Sequence, residues 1–308
     1  MIRTLRTTDL LRVLLDSRSM GPDWAQTWEK VAGNASSALT PVAMAKGLIL
    51  SQGRERYGVL AEGLRLRALA SVRARSGPKA WEVHCLNLSP EREQEGTELL
   101  ERLCMLAGDV GGERVFLRLP AVSRVFKLAR QAGFIPCAQE TLYRREVSPS
   151  STPLTAKFIR PFLSPDEYPI FQLYNACVPS KVKAEYALTF DEWSDALEPA
   201  GKRVQQGIYE AQGCLRGWVR VGSGNRSANR IEIMMHPEEE ASAWEDLVSW
   251  GLQQGSPATP FLALVPDYQP TLPWVLEKKG FIPTGKYHLM VKSIAVRVKE
   301  SALAPAGA

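Results

Sequence analysis

His84 and Cys85 are neighbours in the run WEVHCLNLSP, and these two residue types can bind a metal or pair as base and nucleophile. The run alternates like a β-strand, and successive side chains of a strand point to opposite faces of a sheet. His84 and Cys85 therefore cannot act jointly. His236 and His288 have no partner at a metal-ligand spacing, and the sequence has no P-loop. We predict no metal site and no cysteine nucleophile.

Four arginines alternate along two further strand-like runs: Arg65, Arg67, Arg73 and Arg75. They could form a solvated basic face, or they could contact a coenzyme phosphate, an acidic substrate or nucleic acid. Residues 1–150 contain 22 Lys and Arg against 16 Asp and Glu, a net +6, whereas the remaining residues contain 16 against 17, a net −1. Because no aromatic residues are interleaved with the arginines, we expect no nucleic-acid partner.

The composition is that of a globular protein with two domains, since the chain has 308 residues, of which 45% are hydrophobic and 23% charged. No run approaches the roughly 20 apolar residues of a membrane span, and the first 20 residues are too often charged for a signal peptide. The five cysteines are far apart and odd in number, which favours free thiols. We therefore expect a cytoplasmic protein without a membrane partner.

The sequence contains an internal duplication. Gly-Phe-Ile-Pro occurs at 133–136 and again at 280–283, an offset of 147 residues. The same offset places Pro90 on Pro237 and the run 113–119 on 260–266, without a gap over about 60 residues. Further upstream, IRTLRTTD at Ile2 resembles IRPFLSPD at Ile159 at an offset of 157. We predict an N-terminal domain at 1–147, a Pro- and Ser-rich linker at 148–158, a C-terminal domain at 159–300 and a disordered tail at 301–308.

Each copy has the same order of predicted elements. In the first copy, residues 57–75 predict two strands around Gly63, and 81–88 predict a third strand that stops at Pro90. Its alternation would place Glu82 on the same face as Leu86 and Leu88. A helix beginning near 94–96 follows, and then a short buried strand. A second helix, which includes Val122, precedes a closing antiparallel strand, and the glycine before that strand suits a left-handed helix cap.

A strand ending in L-x-L-x-P, a helix, a strand, a helix ending in Gly-Phe and a last strand together resemble the GNAT N-acetyltransferase fold. The resemblance covers nearly the whole chain as two tandem copies. It implies an α/β (α+β) fold in which each copy has a mixed, mostly antiparallel sheet flanked by helices.

The resemblance also implies a place for acetyl-CoA or CoA as co-substrate. Its pantetheine arm would bond to the main chain of the fourth strand, and its diphosphate would lie on the start of the following helix. The positions concerned in the two copies are Leu86, Leu88, Gln94, Glu95, Gly96 and Thr97, and Met235, Ala241 and Ala243.

The diphosphate loop departs from the family's basic and glycine-rich pattern in both copies. Glu93 and Glu98 occupy pattern positions in the first copy, and Glu240 and Glu245 occupy them in the second. A carboxylate within about 6 Å of a phosphate costs roughly 1–3 kcal/mol, more than a helix N-terminus contributes. These acids either weaken coenzyme binding or lie at an exposed helix start.

The resemblance makes Glu82 the candidate general base, because some family members have a glutamate eight residues before the proline. The alternative is a glutamate at a strand end in solvent. Its counterpart, Asn229, cannot act as a base. The family's usual acid, a tyrosine four residues before Gly-Phe, is replaced by Ala129 and Leu276. Its usual asparagine is replaced by Val122 and Gln269.

Two functions follow from these observations. The first is an acyl-CoA-dependent N-acyltransferase that acts on a small-molecule or peptide amine directly, with the chemistry in the N-terminal copy, which keeps Gly96 and the positive charge. The second is a binding or scaffold protein whose GNAT copies have lost catalysis. The acidic loops favour the second function, and the fold favours the first.

Overall fold

The computed structural model describes residues 2–16, 21–33, 54–63, 65–147, 159–199, 203–223 and 228–294. The predicted linker at 148–158 and the tail at 301–308 lie outside the described residues.

The elements of the N-terminal copy follow the predicted order. Its strands are β1 (Ile2–Thr4), β2 (Glu55–Glu62), β3 (Arg65–Ala74), β4 (Ala80–Leu88), β5 (Arg114–Pro120) and β6 (Ile135–Arg145). Its helices are α1 (Leu10–Asp16), α2 (Trp28–Val31), α3 (Gly96–Gly108) and α4 (Val125–Gln131), and 3-10 turns span Thr7–Asp9 and Pro90–Glu95. Val122 lies before α4 and is 95% exposed, so its predicted place in the helical stripe is wrong.

The C-terminal copy repeats this order. Its strands are β7 (Ile159–Pro161), β8 (Arg203–Ala211), β9 (Cys214–Ser223), β10 (Asn229–Met235), β11 (Phe261–Pro266) and β12 (Ile282–Ser293). Its helices are α5 (Glu167–Cys177), α6 (Ser180–Tyr186), α7 (Phe190–Ala196), α8 (Ala241–Gln254) and α9 (Thr271–Lys278), with a 3-10 turn at Ser164–Asp166.

Matching details confirm the duplication. Gly133 and Gly280 both end a helix in the left-handed region, with φ of +86° and +84°. Such a cap needs glycine because a side chain is strained at this φ. The two similar N-terminal runs form the same ion pair, since Arg3 Nη1 lies 2.6 Å from Asp9 Oδ2 and Arg160 Nη1 lies 2.7 Å from Asp166 Oδ2.

The twelve strands of the described residues form one sheet in the order β1-β2-β3-β4-β5-β12-β6-β11-β10-β9-β8-β7. The closing strands are antiparallel, as predicted, but each completes the sheet of the other copy. Strand β12 lies between β5 and β6, and β6 pairs with β11. The boundaries 1–147 and 159–300 therefore divide the sequence without dividing the sheet. They stay a prediction of domain organisation.

Strand β4 contains a β-bulge that changes which side chains share a face. Ser71 pairs with Cys85 and Val72 pairs with Val83, so His84 is the additional residue. Trp81 and Val83 consequently pack with Leu86 and Leu88 in the core under α3. Glu82 lies on the opposite face, and its predicted place beside Leu86 is wrong.

In both copies the two central parallel strands separate soon after they begin. Strand β4 pairs with β5 over Ala80 to Glu82 only, and β10 pairs with β11 over Asn229 and Arg230 only. Each separation leaves a cleft between the strands, at the place where the resemblance puts the pantetheine arm.

Candidate functional site

The cleft of the N-terminal copy is filled by the chain itself. Residues 21–33, here called the filler segment, lie between the separated ends of β4 and β5. Trp24 N–H donates to Leu86 O at 2.9 Å, and Leu86 N–H donates to Asp23 Oδ1 at 2.9 Å. On the other side, Gln26 N–H donates to Arg118 O of β5 at 2.9 Å. Both strand edges are thus satisfied internally.

Further contacts fix the filler segment. Lys30 Nζ bonds to the Asp23 carboxylate and to the carbonyl of His84. Gly21, at φ +74°, lies against Leu88, because a Cβ on it would be 2.3 Å from Leu88 O. The main-chain positions assigned to coenzyme at Leu86 and Leu88 are therefore covered by the protein's own backbone.

The predicted diphosphate loop of this copy is folded into a tight turn that is fixed by the protein's own contacts. Residues Pro90–Glu95 form a 3-10 turn, and Glu95 pairs with Arg92 at 2.9 Å, while Gln94 is exposed. Gly96 is buried, and a Cβ there would be 2.9 Å from Leu88 Cδ1, so this glycine permits close packing. The Thr97 hydroxyl is 3.4 Å from Leu128 O of α4.

Glu82 is buried between two guanidiniums. Its Oε1 lies 2.6 Å from Arg73 Nη2 and its Oε2 lies 3.3 Å from Arg75 Nε, and its side chain is 6% exposed. A carboxylate held this way is an ion-pair partner. Its role as a general base stays a prediction, and these surroundings favour a structural role. Arg73 and Arg75 point into this cluster rather than forming a solvated face.

The C-terminal copy has an open cavity at the equivalent place, with a volume of about 170 Å³. The N-terminal copy contributes part of the wall through β5, β6 and the filler segment. Six aromatic side chains line the cavity: Trp28, Tyr174, Tyr186, Trp193, Trp218 and Tyr268.

The cavity reaches the edge of β10. Glu232, Ile233 and Met234 are consecutive and all line it, although alternate side chains of a strand face opposite ways. Gln269 Nε2 donates to Ile233 O at 3.3 Å, and Gln269 Oε1 is buried without a hydrogen-bond partner among the described residues. An amide donor on a ligand could satisfy this oxygen.

Met235, a predicted coenzyme contact, is 2% exposed, and its carbonyl accepts the Cys177 thiol at 3.1 Å. Burial raises the pKa of Cys177 to about 12, so the thiol stays protonated. A protonated thiol is a weak nucleophile.

Helix α8 follows β10 through residues 236–240. Ala241 is its first residue, and the amides of Ala241 and Ser242 lack an intrahelical acceptor by helix geometry. The N–H of Ala243 instead donates to Glu240 O at 3.0 Å, and its side chain is buried in the core. Of the two predicted contacts, Ala241 is the one whose N–H lacks an intrahelical acceptor within the described helix.

Cations balance the carboxylates around this helix start. Lys278 Nζ lies 2.5 Å from Glu245 Oε1, and Lys279 Nζ lies 3.8 Å from Oε2. The hydrogen bond from Lys278 holds the pKa of Glu245 below its ordinary value. Arg216 pairs with Glu238 and Glu239 in the same way. Glu238, Glu239 and Glu245 therefore oppose an anion less than the sequence predicts.

A network of ion pairs forms the polar wall of the cavity. Its centre is Glu198, which lies within 3.5 Å of Arg75, Arg118 and Arg230. Arg118 also binds Glu140 at 2.5 Å, and Arg220 binds Glu232 at 2.5 Å. Burial alone would raise the pKa of Glu198, but the three guanidiniums outweigh it and hold that pKa far below the ordinary range.

Tyr268 is a candidate that the sequence analysis did not identify. It lies two residues after the end of β11 and lines the cavity. Burial raises the pKa of its phenol well above 10, so the hydroxyl keeps its proton. Its sequence signal is a tyrosine just after a short buried strand.

The structure is similar to solved GNAT structures over nearly its whole length. A GCN5-related N-acetyltransferase from Sphaerobacter thermophilus has 16% identity and a TM-score of 0.55, with 95% of both chains covered. A putative acetyltransferase from Pyrococcus horikoshii has 12% identity and a TM-score of 0.51, covering 97% of this chain and 91% of that one. A tandem GNAT protein from the clavulanic acid biosynthesis pathway has 14% identity and a TM-score of 0.50, covering 95% and 98%.

No protein-family profile matches the sequence, and no curated protein matches it either. The structural similarities therefore establish the fold. The chain has the α/β fold of two tandem GNAT copies, as the resemblance implied. Among the described helices, none is long and apolar enough to cross a membrane.

Proposed function

We propose that the protein is an acyl-CoA-dependent N-acyltransferase whose reaction takes place in the C-terminal copy. The observation that carries this proposal is the difference between the two clefts. The N-terminal cleft holds the filler segment on both strand edges, whereas the C-terminal cleft opens into the cavity. This reverses the expectation that the N-terminal copy is the active one.

The C-terminal copy also offers groups that fit acetyl-CoA, which would supply an activated acetyl thioester. The edge of β10 at Ile233 and the unpartnered Gln269 Oε1 suit the amides of a pantetheine arm. The free amides of Ala241 and Ser242 suit the diphosphate. In the N-terminal copy, the filler segment bonds to the main chain of Leu86 and Gly96 packs against Leu88, which favours the C-terminal copy for this role.

In the transfer, a C–N bond replaces the thioester C–S bond, the acceptor nitrogen loses a proton and the sulfur gains one. Tyr268 holds a proton inside the cavity and would donate it to the sulfur. Because Glu140 and Glu232 are held in ion pairs with cavity arginines, the amine proton would leave to water. Since Cys177 is protonated, we expect direct transfer without an acyl-enzyme.

Calorimetry with acetyl-CoA, followed by an assay of thiol release with a panel of amines, tests the proposal. We expect binding at micromolar to millimolar concentration and thiol release that depends on an amine. Absence of heat at millimolar acetyl-CoA would instead support the scaffold function, which the missing family tyrosine at Leu276 also favours. A cytoplasmic location stays part of the proposal because of the number and spacing of the cysteines.

A further inference from the structure

We propose that the cavity binds the acyl acceptor as a primary amine on a hydrophobic, ring-sized group without an anionic substituent, and that Trp28 helps to select it. This inference rests on the proposed function and names its substrate class.

The aromatic walls present apolar surface rather than hydroxyl groups. The Tyr174 hydroxyl donates to Ala187 O at 3.0 Å, and the Tyr186 hydroxyl donates to Ala196 O at 3.2 Å. Trp218 Nε1 donates to Gln206 Oε1 at 2.9 Å. Three rings thus have their polar atoms engaged by the protein, so their remaining surface is best covered by an apolar group, and a ring makes offset or edge contacts with it.

The charges of the cavity are already matched. Three guanidiniums and three carboxylates line it, and each cation has a carboxylate partner: Arg118 with Glu140 and Glu198, Arg230 with Glu198 and Glu232, and Arg220 with Glu232. A carboxylate or phosphate on the acceptor would have to displace a buried pair, which costs more than the new contact returns. An amine that loses its ammonium proton to water on entering the cavity is neutral and makes no such demand.

Trp28 reaches the cavity from the other copy. It belongs to α2 within the filler segment, and the Arg230 guanidinium lies over its ring at 4.5 Å from the centroid. The contacts of Asp23 and Lys30 with β4 hold this segment in place. By filling the N-terminal cleft, the filler segment therefore positions Trp28 as an aromatic wall of the cavity in the C-terminal copy.

The test is calorimetry on the full chain, saturated with CoA, using 2-phenylethylamine as the probe. Phenylalanine adds a carboxylate to the same ring and amine, and spermidine offers amines without a ring. We expect 2-phenylethylamine to bind at least about tenfold more tightly than either compound. Equal or tighter binding of phenylalanine or spermidine overturns the inference.

Variants test the role of Trp28. Trp28→Leu, which keeps apolar volume, should weaken 2-phenylethylamine binding about 3- to 10-fold, and Trp28→Phe should restore most of it. Trp274→Ala, at a tryptophan 52% exposed on α9, is the matched control and should bind normally. Equal affinity in Trp28→Leu and the wild type overturns the role of Trp28. Thermal unfolding of each variant checks that it is folded.

Separate readouts distinguish this inference from the proposed function. If 2-phenylethylamine binds in the expected order but no amine is acetylated, the binding site is supported and the transferase function fails. If spermidine is acetylated and 2-phenylethylamine does not compete with it, the function stands and the acceptor class is overturned.

Discussion

At the scale of single residues, Tyr268 gives the most direct test of the chemistry. Tyr268→Phe removes the proton donor without removing the ring, so kcat should fall about 10²-fold or more while acetyl-CoA affinity changes little. Because burial raises the pKa of Tyr268 well above 10, the wild-type rate should not fall through loss of this proton near neutral pH. Steady-state kinetics between pH 6 and 9 measure both effects.

The matched control for this substitution is Tyr168→Phe, since Tyr168 is 56% exposed on α5. It should leave kcat unchanged. If Tyr268→Phe keeps the wild-type kcat, Tyr268 is not the proton donor of the reaction.

Glu198 is the residue on which the polar wall depends. Glu198→Gln leaves Arg75, Arg118 and Arg230 without their shared carboxylate, so the free energy of unfolding at pH 7 should fall by about 3–5 kcal/mol. The folded-state pKa lies below the unfolded value, so this stabilisation is complete above the unfolded pKa near 4.5 and is lost as pH falls.

Urea unfolding at pH 7, 5 and 4 measures the difference. The wild type should lose stability on acidification more steeply than Glu198→Gln, and the difference between the two proteins should shrink toward pH 4. Equal slopes would show that the pKa of Glu198 is the same in the folded and the unfolded protein. Glu91→Gln, at an exposed carboxylate, is a suitable control.

The residue types of the site were only partly predictable. Alternation assigned Glu82 to the face of Leu86, but a bulge at His84 reverses the faces, and a bulge depends on the register with β3. Gly96 fitted a phosphate loop by sequence, yet it serves packing against Leu88 and Leu128. The surroundings of Glu82 and Gly96 are formed by strands and helices that are distant in the sequence. A local sequence pattern therefore does not predict them.

At the scale of elements, the filler segment makes a prediction about local stability. Asp23→Ala removes the acceptor of Leu86 N–H and the partner of Lys30, and an unpaired buried amide costs about 1–3 kcal/mol. The main-chain amides of β4 near Leu86 should therefore exchange with deuterium faster than in the wild type. Mass spectrometry of peptides covering 80–90 measures this exchange.

Asp109→Ala provides the control, because Asp109 is an exposed residue at the end of α3. It should leave exchange in β4 unaltered. Unchanged protection of Leu86 in Asp23→Ala would mean that the backbone contacts alone hold the filler segment in the cleft.

The elements themselves were largely predictable, whereas their partners were not. Helix α3 follows from the stripe Leu99, Leu100, Leu103 and Leu106, all of which are buried. The closing strands β6 and β12 follow from the helix caps at Gly133 and Gly280. Both strands have a similar local pattern, so the pattern cannot specify which copy each one joins. That choice depends on the tertiary packing of the whole sheet.

At the scale of the whole molecule, the exchange of closing strands predicts that the copies unfold together. Leu103→Ala creates a cavity in the core of the N-terminal copy and should cost about 2–5 kcal/mol. Since β12 joins β5 to β6, loss of the N-terminal core should also expose the C-terminal sheet. Far-ultraviolet circular dichroism and tryptophan fluorescence should report one coincident transition. Two separate transitions, with only the first shifted, would contradict this coupling.

The last prediction concerns how many coenzymes one chain binds. Because the filler segment occupies one cleft and the other opens into the cavity, calorimetry should give one CoA per chain. Ser242→Glu places a carboxylate at the second residue of α8, where it favours the helix but repels a diphosphate, so CoA affinity should fall about tenfold without loss of stability. Thr97→Glu, at the second residue of α3, is the matched change in the N-terminal copy and should leave affinity unaltered. Two sites per chain, or a loss of affinity in Thr97→Glu alone, would place the coenzyme in the N-terminal copy and require the filler segment to leave its cleft.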